Sequence, residues 1–144
     1  MYRRNFLITG AAFALAASAQ TSGSKLDVAV SYTGEGTVDE GHKIYVVIWD
    51  SPDFMKGDSG SIPSAMQAVT SKSATAHLDG LQKSPVYVSM VFDSTGKWDA
   101  ASPPPSGSPI GVYWKEPGTP TPVELDSSKT VSITATFDDS IKMP

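Results

Sequence analysis

Apolar residues recur at every second position in several stretches of this chain, and this period of two constrains the fold more than any other feature. Residues 26–32 alternate apolar and polar or small side chains, as expected of a half-buried β-strand. Residues 130–137 show the same alternation near the C-terminus. Beyond the N-terminal segment, no stretch of ten or more residues keeps apolar residues at helical spacing. The sequence therefore predicts an all-β fold.

Two stretches are apolar on both faces and rich in β-branched and aromatic residues, which predicts central strands at residues 43–50 and 86–93. Trp49, in the first of these, is expected in the core. Asp79-Gly80 predicts a turn. Weaker strand candidates are residues 65–70 and 73–78, and residues 110–114 and 122–125 are further predicted strands. Seven to eight short strands in about 125 residues predict one antiparallel β-sandwich that forms a single domain over residues 20–144.

The first 19 residues have the features of a cleavable signal peptide. Arg3 and Arg4 precede a short, weakly apolar stretch, and Ala17-Ser18-Ala19 offers the small residues that a signal peptidase requires. The paired arginines favour the twin-arginine export route, with an ordinary secretory signal as the alternative. Either route predicts a location outside the cytoplasm, periplasmic or secreted, with cleavage before Gln20. No later stretch of about 20 apolar residues predicts a transmembrane segment.

Composition excludes several classes of function. Without the signal, nine lysines face fifteen acidic residues, a net charge of −6, and no arginine remains. A nucleic-acid partner is therefore not expected, since phosphate recognition relies on cationic side chains. The chain has no cysteine, which excludes disulfides, thiolate metal sites and a cysteine nucleophile. The sequence predicts no cofactor.

Motifs that carry chemistry in other proteins occur here in contexts that do not support it. Residues 57–60 read Gly-Asp-Ser-Gly, as around a protease serine, but the chain is too short for the two barrels that such an active site needs. His42 and His77 have no ligand-like spacing to another histidine or to a carboxylate. Residues 93–99 place oxygen side chains at alternate positions, yet Lys97 and Trp98 stand where a calcium loop needs an oxygen ligand and a glycine. A turn closed by Asp side chains is the simpler interpretation, and we predict no metal site and no catalytic residue.

The order of the predicted elements carries a resemblance to a known family. The relevant succession is residues 44–50, then Leu78-Asp79-Gly80-Leu81, then residues 86–93 with Gly96 just after, then Gly111-Val112-Tyr113, and a last strand that runs into Asp138-Asp139. It resembles the transthyretin-like, or carboxypeptidase regulatory-like, β-sandwich domains. The resemblance implies an accessory or binding module. The family's hydroxyisourate hydrolases need an arginine and a C-terminal Tyr-Arg-Gly-Ser signature that this chain lacks, so their activity is not implied.

Aromatic residues give the only prediction of a binding site. Trp98, Tyr113 and Trp114 flank a proline-rich segment that contains Pro103, Pro104, Pro105 and Pro109. Aromatic rings on a loop supply large contact area at little entropic cost, which suits sugars and extended peptides. The alternative is that these rings cover one end of the sandwich. We therefore predict a non-catalytic binding module whose partner is an envelope protein or a polysaccharide, with a hydrolase that uses scattered carboxylates and a histidine as the alternative.

Overall fold

The computed structural model describes residues 23–56 and 62–144, and the regular secondary structure in this part of the chain is almost entirely β-strand. The expectations for the signal peptide, residues 1–19, and for the loop at residues 57–60 lie outside the described residues. No helix in the described ranges is long and apolar enough to cross a membrane. A single 3₁₀ helix, Pro52–Lys56, accompanies the strands there. The strands are β1 Ser24–Tyr32, β2 Ile44–Trp49, β3 Ala65–Val69, β4 Ser73–Leu81, β5 Tyr87–Phe92, β6 Ile110–Val112 and β7 Thr130–Phe137.

The seven strands form two sheets. One sheet has three strands in the order β4-β1-β7, and the other has four in the order β3-β2-β5-β6. Buried side chains from both sheets join one hydrophobic cluster, in which Leu26, Val28, Ile44, Ile48, Val88 and Met90 are almost completely inaccessible to solvent. The inner faces of the two sheets therefore share one core, which is the arrangement of a β-sandwich.

The β1–β7 pair corrects the prediction of a wholly antiparallel fold. β1 pairs with β7 in parallel over eight positions, from Lys25 opposite Thr130 to Tyr32 opposite Phe137, whereas the other ladders are antiparallel. The predicted facing of β7 is confirmed, because Ala135 and Phe137 are buried while the alternate residues are exposed. Alternation of apolar and polar residues shows which face of a strand is buried. The same alternation occurs in parallel and in antiparallel strands, so it does not predict the direction of pairing.

Three local predictions also differ from the structure. Asp79-Gly80 is not a turn: both residues lie inside β4, where the register with β1 shifts and Gly80 has a φ of +71°. The strand predicted at residues 122–125 is reduced to one bridge between Val123 and Val86. β6 ends at Val112 rather than at Trp114. A bulge and a turn both favour glycine at positive φ, so sequence alone does not separate them.

The outer face of the four-stranded sheet is unusually apolar. Trp49 lies on this face and not in the core, because the alternate residues Ile44, Val46 and Ile48 point into the shared cluster. The Trp49 ring stacks on Phe54 of the 3₁₀ helix, with ring centroids 4.8 Å apart and planes 6° apart. Its indole N–H donates to Ser89 Oγ at 2.9 Å. Loops of the protein therefore cover part of the outer face of this sheet. This cover explains why the strand is apolar on both of its faces.

Candidate functional site

A cleft of about 220 Å³ lies where β6 meets the end of β7 and the C-terminal tail. The tail follows β7 and runs beside the chain leading into β6: Ile110 N–H donates to the Ile141 carbonyl at 2.9 Å, and Met143 N–H donates to the Ser108 carbonyl at 2.9 Å. This pairing fixes one wall of the cleft against the other. The lining residues are Ile110, Gly111, Val112, Trp114, Thr136, Phe137, Asp138, Ser140 and Ile141.

Trp114 differs from the other two tryptophans in what its side chain contacts. The indole N–H of Trp49 donates to Ser89 Oγ, and that of Trp98 donates to the Ser102 carbonyl at 2.8 Å. Within the described residues, the Trp114 indole N–H has no acceptor and its ring pairs with no other aromatic ring. Trp114 is half-buried and lines the cleft, so both its ring and its donor are available to a ligand.

Asp138 supplies the charged group of the cleft. One carboxylate oxygen, Oδ1, accepts hydrogen bonds from the Ser140 hydroxyl at 2.6 Å and from the Ser140 N–H at 2.9 Å. These two bonds hold the pKa of Asp138 below its usual range, so the carboxylate is ionised at neutral pH. Among the described residues, Oδ2 has no donor. The cleft therefore places the Trp114 ring, the Asp138 carboxylate and Thr136 of β7 around one small volume.

Trp98 occupies a different part of the surface. Its backbone N–H donates to Asp93 Oδ2 at 3.0 Å, at the end of a tight loop that follows β5. Its ring meets Tyr45 edge to face, with centroids 4.9 Å apart, on the outer face of the four-stranded sheet. The same loop is closed by Asp93 and, further along, by Asp99, as the interpretation of residues 93–99 as an Asp-closed turn predicts.

Tyr113 packs against the hydrophobic core. Its backbone N–H donates to the Val88 carbonyl, and its carbonyl accepts from Thr121 N–H at 3.0 Å. Successive side chains of an extended chain point to opposite faces. Tyr113 therefore packs on the core while its neighbour Trp114 lines the cleft. Of the three predicted residues, only Trp114 lines the cleft, and no aromatic pair joins Trp98 to Tyr113 or Trp114 in the described part of the protein.

The proline-rich segment is held by the C-terminal tail. Gly107 N–H donates to the Met143 carbonyl at 2.8 Å, and Ser108 N–H donates to the Pro105 carbonyl at 3.1 Å. Ser108 and Pro109 are buried, whereas Pro103 is exposed. This segment therefore leads into β6 as an ordered connection, and its far end forms part of the framework of the cleft.

Each histidine is paired with one aspartate. His42 Nδ1 lies 2.8 Å from Asp39 Oδ1 within a turn, and His77 Nδ1 lies 2.8 Å from Asp27 Oδ1 across the β1–β4 ladder. Both pairs are on the surface, and neither contacts a serine or threonine hydroxyl through a hydrogen bond in the described ranges. The described residues also contain no group of three or more His, Asp or Glu side chains that is arranged to hold a metal ion.

The tail residues of the cleft were missed by sequence reasoning. Asp138, Ser140 and Ile141 follow β7, and their pattern resembles an ordinary polar chain end. One signal was available in the sequence: Ile141 is a large apolar residue directly after the polar residues 138–140. In the folded protein Ile141 remains 39% exposed. An exposed isoleucine beside a free tryptophan marks a surface with apolar area to bury.

Comparisons with protein-family models, with curated proteins and with solved structures gave no match to this chain.

Proposed function

We propose that this protein is an exported, non-catalytic β-sandwich that binds a component of the periplasm or cell envelope at the Trp114 cleft. The observation that carries the proposal is the environment of Trp114. It is the tryptophan whose ring and indole N–H have no partner among the described residues, and it lines the cleft between β6 and the C-terminal tail. Export is supported by Arg3-Arg4 and by Ala17-Ser18-Ala19 in the sequence. The resemblance to transthyretin-like binding modules supports the same function.

A sugar unit of an envelope polysaccharide is the ligand that the cleft chemistry favours. An indole ring stacks on the apolar face of a sugar, and the free Oδ2 of Asp138 accepts a hydrogen bond from a hydroxyl group. A volume of about 220 Å³ holds about one such ring, which is smaller than the usual site for a drug-sized molecule. A single side chain of an envelope protein is the other ligand of this size.

The hydrolase alternative has weaker support. His42 and His77 lie in separate surface pairs with Asp39 and Asp27, and hydrogen bonds connect neither pair to the cleft or to a hydroxyl nucleophile in the described ranges. General acid–base catalysis requires the acid or base within hydrogen-bond reach of the reacting group. A non-catalytic role therefore agrees better with the separation of these groups.

Tryptophan fluorescence tests the proposal directly. Titration with soluble envelope polysaccharides should shift the emission of the wild-type protein, and Trp114→Phe should lose this shift because the other two indoles are bonded internally. Trp114→Ala should reduce affinity at least about tenfold, which corresponds to about 1.4 kcal/mol, while the free energy of unfolding falls by about 1 kcal/mol or less.

Trp98→Ala is the matched control. Its ring covers Tyr45, so this variant should lose stability, yet it should bind normally at temperatures where it remains folded. A loss of binding in Trp98→Ala as large as that in Trp114→Ala would favour the site of Trp98, Tyr113 and Trp114 that the sequence predicts. Unchanged binding in Trp114→Ala would rule out the cleft as the binding surface. Binding of an envelope protein but of no polysaccharide, with the same dependence on Trp114, would assign the cleft to a protein side chain.

A further inference from the structure

The two sheets have four edge strands, and three of them are protected against pairing with another chain. β4 carries His77 and Asp79 and is bulged at Gly80. β3 has only five residues. β6 has three, and the C-terminal tail bonds to the chain at its start through Ile110 and Ile141. Charges, bulges, short length and cover are the devices by which proteins prevent edge-to-edge association.

The fourth edge, β7, has none of these devices. Thr130–Phe137 is eight residues long, contains no charged residue, no proline and no glycine, and pairs with β1 in an unbroken register. Its backbone makes no hydrogen bond on the side away from β1 within the described part of the chain. A long, regular and uncharged edge is a template for the addition of another strand.

The register shows which backbone groups are free. The Phe137 carbonyl accepts a hydrogen bond from Thr33 N–H at 2.9 Å, so Phe137 directs its backbone groups toward β1. Because these groups alternate along a strand, Thr136, Thr134 and Ser132 direct their N–H and C=O groups outward. The side chains of these three residues are exposed on the outer face of the sheet.

Opposite charges stand at the two ends of the free edge. Lys129 precedes β7 and is exposed, and Asp138 follows it and is exposed. Two antiparallel copies of β7 bring the end that carries Lys129 in one copy beside the end that carries Asp138 and Asp139 in the other. A parallel pair brings like charges together instead, which is unfavourable. The charges therefore favour an antiparallel copy of the same strand as the occupant.

From these features we propose that two copies of this protein associate through β7 in antiparallel fashion and form a continuous six-stranded sheet. The two-fold axis passes beside Thr134, so that Thr134 pairs with its own copy and Ser132 pairs with Thr136. This register forms about six backbone hydrogen bonds between the outward groups. It also places Lys129 opposite Asp139 and Thr130 opposite Asp138.

The association ends at two copies because the other three edges are protected, and an isologous contact through one edge closes on itself. The inference goes beyond the proposed function and does not depend on it. Thr136 and Asp138 belong both to the free edge and to the cleft, so the second copy lies beside the cleft. The oligomeric state is therefore measured without ligand.

Thr134→Lys tests the interface, and Thr75→Lys is its matched control. Thr75 and Thr134 both lie opposite Ala29, one on each side of β1, so the two variants add the same charge in the same row of the same sheet face. Both positions are exposed, so both variants are expected to fold. Thr134→Lys puts two ammonium groups side by side at the two-fold axis, whereas Thr75→Lys leaves the interface unchanged.

Sedimentation equilibrium over a range of protein concentrations measures the effect. The wild-type protein and Thr75→Lys should dimerise with dissociation constants within about twofold of each other, and Thr134→Lys should weaken the dimer at least about tenfold. A wild-type protein that is monomeric at every concentration up to about 1 mM overturns the proposal, as does equal weakening by both lysines. Selective capture of a different protein's strand by a monomeric wild type has the same consequence.

A charge exchange tests the antiparallel direction. Lys129→Glu should weaken the dimer, because it places two acidic ends against each other. The double variant Lys129→Glu with Asp138→Lys should recover part of this loss, since it removes one acidic group from the facing end and adds a positive charge there, while Asp139 remains. In a parallel dimer the double variant keeps like charges together at both ends. A double variant that dimerises no more tightly than Lys129→Glu alone would therefore reject the antiparallel arrangement.

Discussion

Asp93 is a buried carboxylate whose hydrogen bonds organise the loop after β5. It is 2% exposed and accepts bonds from the Thr95 hydroxyl at 2.6 Å, the Thr95 N–H at 3.1 Å and the Trp98 N–H at 3.0 Å. Burial by itself raises the pKa of Asp93, but these donors outweigh it and the net pKa lies below the usual range. The loop therefore keeps an ionised group inside the protein and uses it to position Trp98.

Replacement of Asp93 should be costly. Asp93→Ala leaves the part-buried donors of Thr95 and Trp98 without an acceptor, so we expect the free energy of unfolding to fall by about 2 kcal/mol, measured by urea denaturation. Asp99→Ala is the control, because Asp99 makes the same kind of turn with Ala101 and Ser102 at an exposed position. Similar losses in the two variants would contradict the role assigned to burial.

At the scale of residues, sequence predicted the turn but not the cleft. The spacing of Asp93, Thr95 and Asp99 suffices for a local Asp-closed loop, since all the partners lie within five residues. Trp98 and Trp114 look alike in sequence, as two tryptophans beside a proline-rich segment. Their difference depends on Tyr45, 53 positions before Trp98, and on the tail after β7. Contacts at that separation leave no local pattern.

Gly111 allows β6 to approach β7 closely. A Cβ at this position would clash with the Phe137 Cβ, and it would lie 2.7 Å from the Phe137 Cγ and 3.0 Å from the Met90 Cε. The Phe137 Cβ is attached directly to the backbone of β7 and cannot rotate away. Glycine is therefore required here by the spacing of the two sheets rather than by its own backbone angle.

Gly111→Ala should separate β6 from β7. We expect a loss of about 1–3 kcal/mol in the free energy of unfolding, because the added methyl group overpacks a rigid contact. The same variant should change ligand binding at the adjacent cleft. Gly41→Ala is a suitable control, since its new Cβ would be 3.6 Å from the nearest atom, Asp39 Oδ1. A thermal melt of both variants distinguishes this effect from a general preference for glycine.

At the scale of elements, strands with strong patterns were predicted and their partners were not. β1, β2, β5 and β7 were all anticipated from alternation or from doubly apolar runs. The parallel pairing of β1 with β7 was not, because it joins strands about 100 residues apart and depends on the connections between the sheets. The β6 region was predicted too long. Tyr113 still donates its backbone N–H to Val88 of β5, but its carbonyl already accepts from Thr121, and the ladder with β5 ends there.

Tyr32 and Asp139 connect the end of β1 to the chain after β7. The Tyr32 hydroxyl donates to Asp139 Oδ1, and Glu35 N–H donates to Asp139 Oδ2 at 2.9 Å. Lys72 adds a bond to the Gly34 carbonyl at 2.6 Å and lies 5.4 Å from the centre of the Tyr32 ring. Burial, followed by the bond to Asp139, raises the pKa of Tyr32 from 10.0 to about 12. The bond from Tyr32 and that from Glu35 lower the pKa of Asp139.

These two pKa shifts predict how the stability of the whole protein depends on pH. Asp139 has a lowered pKa when folded, so its contribution is present above its unfolded pKa of about 4 and is lost as the pH falls. Tyr32 has a raised pKa, so its contribution is complete below about pH 10 and is lost as the pH rises toward 12. Tyr32→Phe should therefore be less stable than the wild type at neutral pH. Its free energy of unfolding should fall less than that of the wild type when the pH is lowered below about 4 or raised above about 10.

Urea midpoints measured at pH 3 to 5, at pH 7 and at pH 9 to 11.5 compare the two proteins. The difference in stability between wild type and Tyr32→Phe should be largest at pH 7, where the bond between Tyr32 and Asp139 contributes fully. The other aspartates and tyrosines titrate in both proteins, so their effects cancel in this difference. Tyr45→Phe controls for the loss of a phenol on the surface. A wild-type minus Tyr32→Phe difference that is constant across this range would contradict the coupling.

The parallel pairing of β1 with β7 also determines how the protein bears mechanical load. The chain enters at Ser24 at one end of this ladder and leaves after Phe137 at the opposite end. A pull on the two termini first detaches the tail from β6 and then drags the two strands past each other lengthwise. Every hydrogen bond of the ladder resists that sliding together, whereas strands pulled apart from one end would open bond by bond. If the domain is held at both ends, we therefore expect it to unfold only at a high force and in a single step.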